Sequence, residues 1–282
     1  MMLRFKKIVY CTLMALTFVT LYAQEKVNQL KKGNLALPES QQPGPLFGFG
    51  QNVIQKGAFQ VSGAFDQNKG EDKNVVRAVP SFLYAVTDSF SLYLFSEIDL
   101  YHKQDGQRSS GMDNVAVQLE YEFYKNEKTT LTDSATIVGN VTIPTKNRNS
   151  LGFFFGPTLS RTQIDWYFFL SPGGLFNLSN KGTKSGNKYL FQCGVGRNIP
   201  SPSHLIWMVE LELNGVFLER DEIADVIDPN SGGNVVYLGP SFWFSSRRVI
   251  IQGGIALPVY QQWYGNQKKI DYLAAVSVGL TF

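Results

Sequence analysis

The stretch VAVQLEYEFY, residues 115–124, alternates without a break. Val115, Val117, Leu119, Tyr121 and Phe123 fall on one side, Gln118, Glu120 and Glu122 on the other. A period of two belongs to a strand with one apolar and one polar face, whereas a helix would mix the two sets. FSLYLFSEIDLY (90–101) repeats the pattern, setting Phe90, Leu92, Leu94, Ile98 and Leu100 against Ser91, Tyr93, Glu97 and Asp99. IWMVELELNGVF (206–217) does so again, with Trp207, Val209, Leu211 and Leu213 opposite Glu210, Glu212 and Asn214.

Working outward from these segments, about twelve strands are expected, near 57–67, 75–87, 90–102, 114–124, 134–144, 151–162, 164–171, 187–199, 205–218, 234–244, 248–259 and 269–282. Intervals after odd-numbered strands are long and polar, such as KQDGQRSSGMD and ERDEIADVIDPNSGG. Those after even-numbered strands are short, such as DS at 88–89 and KNEK at 125–128. An even strand count with alternating long and short connections predicts an all-β, antiparallel transmembrane β-barrel of the bacterial outer-membrane type. Apolar faces then look to lipid and polar faces to the lumen. Tyr84, Tyr101, Tyr124, Trp166, Tyr189, Trp207 and Trp243, near strand ends, are expected in the aromatic girdles. The competing fold is a secreted soluble barrel or sandwich with the apolar faces turned inward.

The two ends agree with a barrel. Residues 1–23 read as a signal peptide, with Arg4, Lys6 and Lys7 before an apolar run and Ala23 at a plausible cleavage point. This leader holds three of the 26 basic residues and none of the 23 acidic ones, leaving 23 of each sign in the remainder. The balance gives no whole-chain argument for nucleic acid. Beyond the leader, Cys193 stands alone, so no internal disulfide is expected. Residues 24–56 are polar and contain Pro38, Pro43 and Pro45 without a sustained period; they read as a periplasmic segment or small plug before a barrel over 57–282. At the other end AAVSVGLTF (274–282) alternates up to Phe282. A final strand that closes the barrel against the first leaves no unpaired edge in lipid. Its terminal aromatic resembles the signal that outer-membrane proteins present to the barrel-assembly machinery, an expected partner together with outer-membrane lipid.

Inward phase selects the functional candidates. Arg77, Glu97, Asp99, Glu120, Glu122, Asn140, Gln192, Glu210, Glu212, Asn214 and Gln252 are expected to line the lumen. They read either as a selectivity lining or as carboxylates interlocked with Arg77 to brace the wall. Phe95, Phe154, Tyr167 and Phe169 share that phase and read as contacts for an apolar or aromatic solute, or as space-filling groups. Pro157, in FFFGP, marks an expected local break. Histidine is scarce: His102 belongs to one rim and His204 to the other. Only Ser109 and Ser110 are convenient partners for His102, without an orienting group, so no enzyme is expected. No metal-ligand spacing, phosphate-binding glycine loop or cofactor motif occurs.

Three stretches carry a family likeness: GNVTIPT (139–145), SPGGLF (171–176), and LPVYQQWYGNQKKIDYLAAVSVGLTF (257–282) with Pro258, Gln261, Gly265 and Gln267. Together they resemble the outer-membrane barrel family grouped with the meta-pathway of phenol degradation, although Lys146 stands where Gly is expected after PT. The resemblance implies a barrel in a Gram-negative outer membrane and uptake of small organic, including aromatic, solutes. The reading is therefore a passive channel for small hydrophobic or aromatic compounds. The alternatives are a non-transporting barrel whose outer loops bind a partner, and a barrel lipid hydrolase.

Overall fold

A computed structural model describes residues 32–50, 52–104, 106–145, 150–180 and 182–282. The expected leader, 1–23, and residues 24–31 of the polar segment lie outside them. The strands are β1 (Phe59–Gly70), β2 (Lys73–Thr87), β3 (Phe90–Gln104), β4 (Gln107–Lys128), β5 (Leu131–Pro144), β6 (Gly152–Gln163) and β7 (Trp166–Asn177). They continue as β8 (Lys188–Ile199), β9 (Ile206–Leu218), β10 (Glu222–Ile223), β11 (Val226–Ile227), β12 (Gly233–Ser245), β13 (Val249–Trp263) and β14 (Ile270–Thr281). All but β10 and β11 form one closed antiparallel barrel, each strand beside its sequence neighbour and β14 returning to β1. β10 and β11 form a small hairpin in the connection between β9 and β12, and Glu222 of β10 also exchanges backbone hydrogen bonds with Lys184 in the connection after β7.

Closure is made by the two chain ends of the barrel. β1 and β14 pair from Gln60↔Thr281 to Lys69↔Tyr272. Below that rung Phe59 and Phe282 exchange backbone hydrogen bonds of 3.1 and 2.9 Å, and their rings stack at 5.0 Å. This end also carries the two-residue turns 88–89, 129–130 and 164–165. Short turns mark the periplasmic side of outer-membrane barrels.

The faces sort as the alternation requires. Leu119 and Leu211 are 46% exposed on the outside, while Glu120 and Glu212, one residue along, are fully buried inside. Phe65, Phe155, Phe191, Phe242 and Val276 continue the outer apolar surface around the barrel. A lipid solvent accepts such a surface, and closure satisfies the backbone within it.

The structure corrects three details. NKGEDKN and KQDGQRSSGMD are mostly strand: β1 and β2 are separated only by 71–72, and β3 and β4 only by 105–106. Strand that projects beyond the bilayer is wet on both faces and needs no alternation, so its sequence looks like loop. SPGGLF (171–176), which runs past the end of the expected strand 164–171, likewise belongs to β7. Trp243 is no girdle residue: it shares the inward phase of Ser241 and Ser245, is 7% exposed, and packs against Met208 and Ile250. Tyr84, Tyr124, Trp166, Tyr189 and Trp207 do lie exposed on the outside.

Two seams interrupt the ladders. Between β6 and β7, pairing stops at Phe155↔Gly174 and resumes in the same register at Leu159↔Leu170. Pro157 and Pro172, which lack N–H groups, face each other in that gap. Between β13 and β14 pairing ends at Ala256↔Leu273, although β13 continues to Trp263.

Residues 32–50 and 52–56 run inside the barrel, with two 3-10 turns, Gly33–Leu35 and Glu39–Gln41. Asn34 N–H bonds the Ile164 carbonyl at the periplasmic turn (2.8 Å), and Asn198 bonds the Asn34 side chain. The segment rises to Phe49, whose ring meets Phe154 edge-on at 4.6 Å, then descends so that Lys56 N–H bonds Asp88 (2.8 Å). Leu37 joins Tyr167, Phe169, Met208 and Trp243 in one buried cluster, and Ile54 joins Leu83 and Ala85 in another. Apolar burial thus seats the segment at both of its lower ends.

Candidate lumen site

Where the inner segment has no secondary-structure partner, the wall supplies one. Glu212 on β9 accepts the backbone N–H groups of Leu46 (3.1 Å) and Phe47 (3.0 Å), and the Ser241 hydroxyl (2.7 Å). Glu120 on β4 accepts both the backbone N–H and the side-chain amide of Asn52, each at 2.7 Å, together with an amide hydrogen of Gln118. Gln192 on β8 accepts Phe49 N–H (2.9 Å) and donates to the Phe47 carbonyl, while Gln252 on β13 donates to the Gly44 carbonyl (3.1 Å). Buried backbone groups must find partners. Here carboxylates and amides do what a ladder would do.

The other candidates divide into three groups. Arg77 on β2 bridges Asp66 (3.0 Å) and Glu97 (3.3 Å), bracing β1, β2 and β3, while Asp99 lies 3.3 Å from His102 Nδ1. Glu122 takes a short hydrogen bond from Ser134 and stands 3.8 Å from Lys125, which bonds Glu39 of the inner segment at 2.6 Å. Glu210 and Asn214 are buried on β9, and Glu210 Oε1 and both Asn214 amide atoms have no hydrogen-bond partner among the described residues.

Beside the segment a cavity of about 580 Å³ remains. Of the residues expected to line the lumen, Glu97, Asn140, Gln192, Gln252, Phe95 and Phe154 border it, along with Tyr93, Asp66 and Lys188. Arg77, Asp99, Glu120, Glu122, Glu210, Glu212 and Asn214 do not, being engaged within the wall or covered by the segment. Tyr167 and Phe169 face inward but are only 2% and 4% exposed within the cluster around Leu37. Sequence reasoning missed Asn52, Gln118, Tyr93 and Gln41, whose amide bonds Thr281 at 2.7 Å. The available signal was the set Leu35, Leu37, Phe47, Phe49 and Ile54, too apolar for a solvated linker.

At the outer rim, Ser109 pairs with His102 across β3 and β4, and Asp99 supplies the orienting carboxylate that the sequence did not reveal. Among the described residues no hydrogen bond joins Ser109 to His102, and no group of three or more His, Cys, Asp or Glu residues could hold a metal.

Closed pairing, an apolar exterior and a polar, occupied lumen define a transmembrane β-barrel of the Gram-negative outer membrane. No protein-family model and no curated protein matches the sequence. Among solved structures the chain is similar to the COG4313 outer membrane channel from Pseudomonas putida F1, at 12% identity and a TM-score of 0.64, over 81% of this chain and 97% of that one. It also aligns with LpxR from Salmonella typhimurium, at 9% identity and a TM-score of 0.48 over 80% and 100% of the two chains. The toluene transporter TodX from Pseudomonas putida aligns at 8% identity and 0.42 over 82% and 90%. The first likeness is one of fold, and the other two bear on nothing below.

Proposed function

We propose that the protein is a passive outer-membrane channel for small, largely uncharged hydrophobic or aromatic compounds. The observation that carries this reading is the cavity of about 580 Å³ left beside the inner segment, where Tyr93, Phe95 and Phe154 stand with Gln118, Asn140 and Gln252. Aromatic faces offer stacking and burial to a solute's apolar body, and the neutral amides offer hydrogen bonds to a polar handle. Several charged groups are engaged: Arg77 pairs with both Asp66 and Glu97, and Glu120 and Glu212 hold the segment. This favours selection by size and polarity over selection by charge. It agrees with the solute class implied by the phenol meta-pathway resemblance, and the fold is shared with a protein described as a channel.

The test is ion current through the refolded protein in a planar bilayer, with phenol and glucose added in turn. The channel reading expects a small steady current that phenol reduces and glucose at equal concentration does not. A current indifferent to phenol refutes the proposed solute class.

A hydrolase reading has Asp99, His102 and Ser109 in its favour, at the outer rim. It requires lipid hydrolysis by the pure protein that His102→Ala abolishes.

A further inference from the structure

Above Ala256↔Leu273, β13 and β14 part, each still held by its other neighbour. β13 remains paired with β12 up to Gly233↔Trp263, and β14 with β1 up to Gly70↔Ile270. Among the described residues one side chain hydrogen-bonds across the gap. Gln261 donates from Nε2 to the Ile270 carbonyl (3.1 Å) and accepts the Ile270 N–H at Oε1 (2.9 Å). A carboxamide has the donor and acceptor of a peptide group, so Gln261 stands in for the missing backbone partner. Unlike a ladder, it is a single side chain that a change of rotamer would withdraw.

Apolar residues border this gap on both sides, with the exposed Asp271 at its outer end. On the lumen side Val235, Tyr237, Ala256 and Ile270 form a buried cluster, with Phe47 at the top of the inner segment packed against it. On the lipid side Leu257 and Val259 are exposed, and the β12–β13 register slips there, Val236 pairing with Tyr260 and Tyr237 with Pro258, so that Val259 is the extra residue. At ~3.3 Å per residue and a tilt of ~40°, Leu257 lies roughly 20 Å above Val249, near the outer edge of an apolar band about 25 Å tall. Unpaired backbone is tolerated there, where headgroups and water are in reach.

Pro258, Gln261, Gly265 and Gln267, noted in the sequence, all belong to this structure. Gly265 turns with φ +65°, and a Cβ on it would stand 2.3 Å from Asn230 Oδ1. Gln267 donates to the Gly232 carbonyl (2.6 Å) and the Tyr264 carbonyl (2.9 Å). The loop above the gap is thereby tied to the neighbouring loop, which confines any opening to the strands beneath it.

Resting on the channel reading, we propose that this seam is a lateral port, through which an uncharged apolar solute passes between the lumen and the outer leaflet, and that Gln261 is its latch. A charged solute would lose its hydration among the buried apolar side chains on the lumen side and is excluded. The inner segment gives such a port its use, since it fills much of the periplasmic half of the lumen and its upper part brings Phe47 beside the seam.

The test uses the full-length protein in vesicles whose outer leaflet is lipopolysaccharide, with two readouts. Arrival of N-phenylnaphthylamine in the bilayer, seen by fluorescence, reports the lateral route; swelling in arabinose reports the aqueous one. Gln261→Ala is expected to speed dye arrival several-fold and leave swelling unchanged. The paired variant Leu257→Cys/Tyr272→Cys, at the rung where pairing would have continued, is expected to slow dye arrival when oxidised and to recover on reduction. Heat-modifiable migration on gels confirms folding of each. Dye arrival unchanged by both variants, or dye and sugar changing together, overturns the port while leaving the channel standing. Wild-type protein that passes neither dye nor sugar overturns both.

Discussion

Asn52 gives Glu120 two hydrogen bonds, one from its backbone N–H and one from its side chain, each 2.7 Å long and made across 68 residues of chain. The pair fixes the descending arm of the inner segment to the β4 wall. With Glu212 holding Leu46 and Phe47 on the opposite wall, the segment is strung across the lumen between two carboxylates.

Replacing either carboxyl group therefore loosens the segment without touching the barrel's ladders. A hydrogen bond contributes about 0.5–1.5 kcal/mol net, and a glutamine in place of the glutamate presents a donor to donors. Glu120→Gln and Glu212→Gln are expected to raise current noise and mean conductance in single-channel recordings, and the double variant more than either. The barrel's heat-modifiable gel shift should stay unchanged.

The seat of Phe49 is made by two glycines. A Cβ on Gly173 would lie 2.7 Å from the Phe154 ring and 2.9 Å from that of Phe49; one on Gly156 would lie 2.8 Å from Phe49. Gly173→Ala is expected to cost about 1–3 kcal/mol, the usual range for overpacking. Adding Phe49→Ala should restore part of it, which a double-mutant cycle on urea unfolding in lipid would measure.

Membrane embedding has its own test at Leu211, whose neighbours Glu210 and Glu212 face inward. Leu211→Arg places a cation on the lipid face near mid-strand, where the expected cost is about 2–4 kcal/mol. The same change at Glu222, in the small outer hairpin, should cost almost nothing, and unfolding titrations in vesicles compare the two.

Acid should act through Glu39, at the periplasmic end of the segment. Burial holds its carboxyl above the usual carboxylate range, against the opposing pull of Lys125. A carboxyl raised in the folded state binds its proton there before the unfolded chain does, so its ionisation costs stability. Its contribution is complete below the unfolded value and is lost as pH rises through the folded one. Stability measured between those two values should rise on acidification in the wild type, and Glu39→Gln should remove that part of the slope.

The barrel was legible because lipid and lumen write opposite demands on alternate residues, as Leu119 and Glu120 show. Where one demand disappears the reading fails. Residues 107–113 carry no alternation and look like loop, yet belong to β4. Trp243 lies near a strand end, and only its phase, shared with Ser241 and Ser245, sends it inward. The inner segment has no period because neither helix nor sheet holds it; its partners, such as Thr281 for Gln41, are up to 240 residues away. The Gln261 latch was visible as a residue in a motif, but its part depends on a ladder that stops, which no local pattern records.

The most direct test of a lumen narrowed, but not sealed, by its own N-terminal segment is single-channel conductance of the full-length protein beside a variant lacking residues 32–50. A small, steady conductance that grows severalfold on deletion is the expected result. Equal conductance in the two proteins would contradict it, and so would a full-length barrel that is folded and silent.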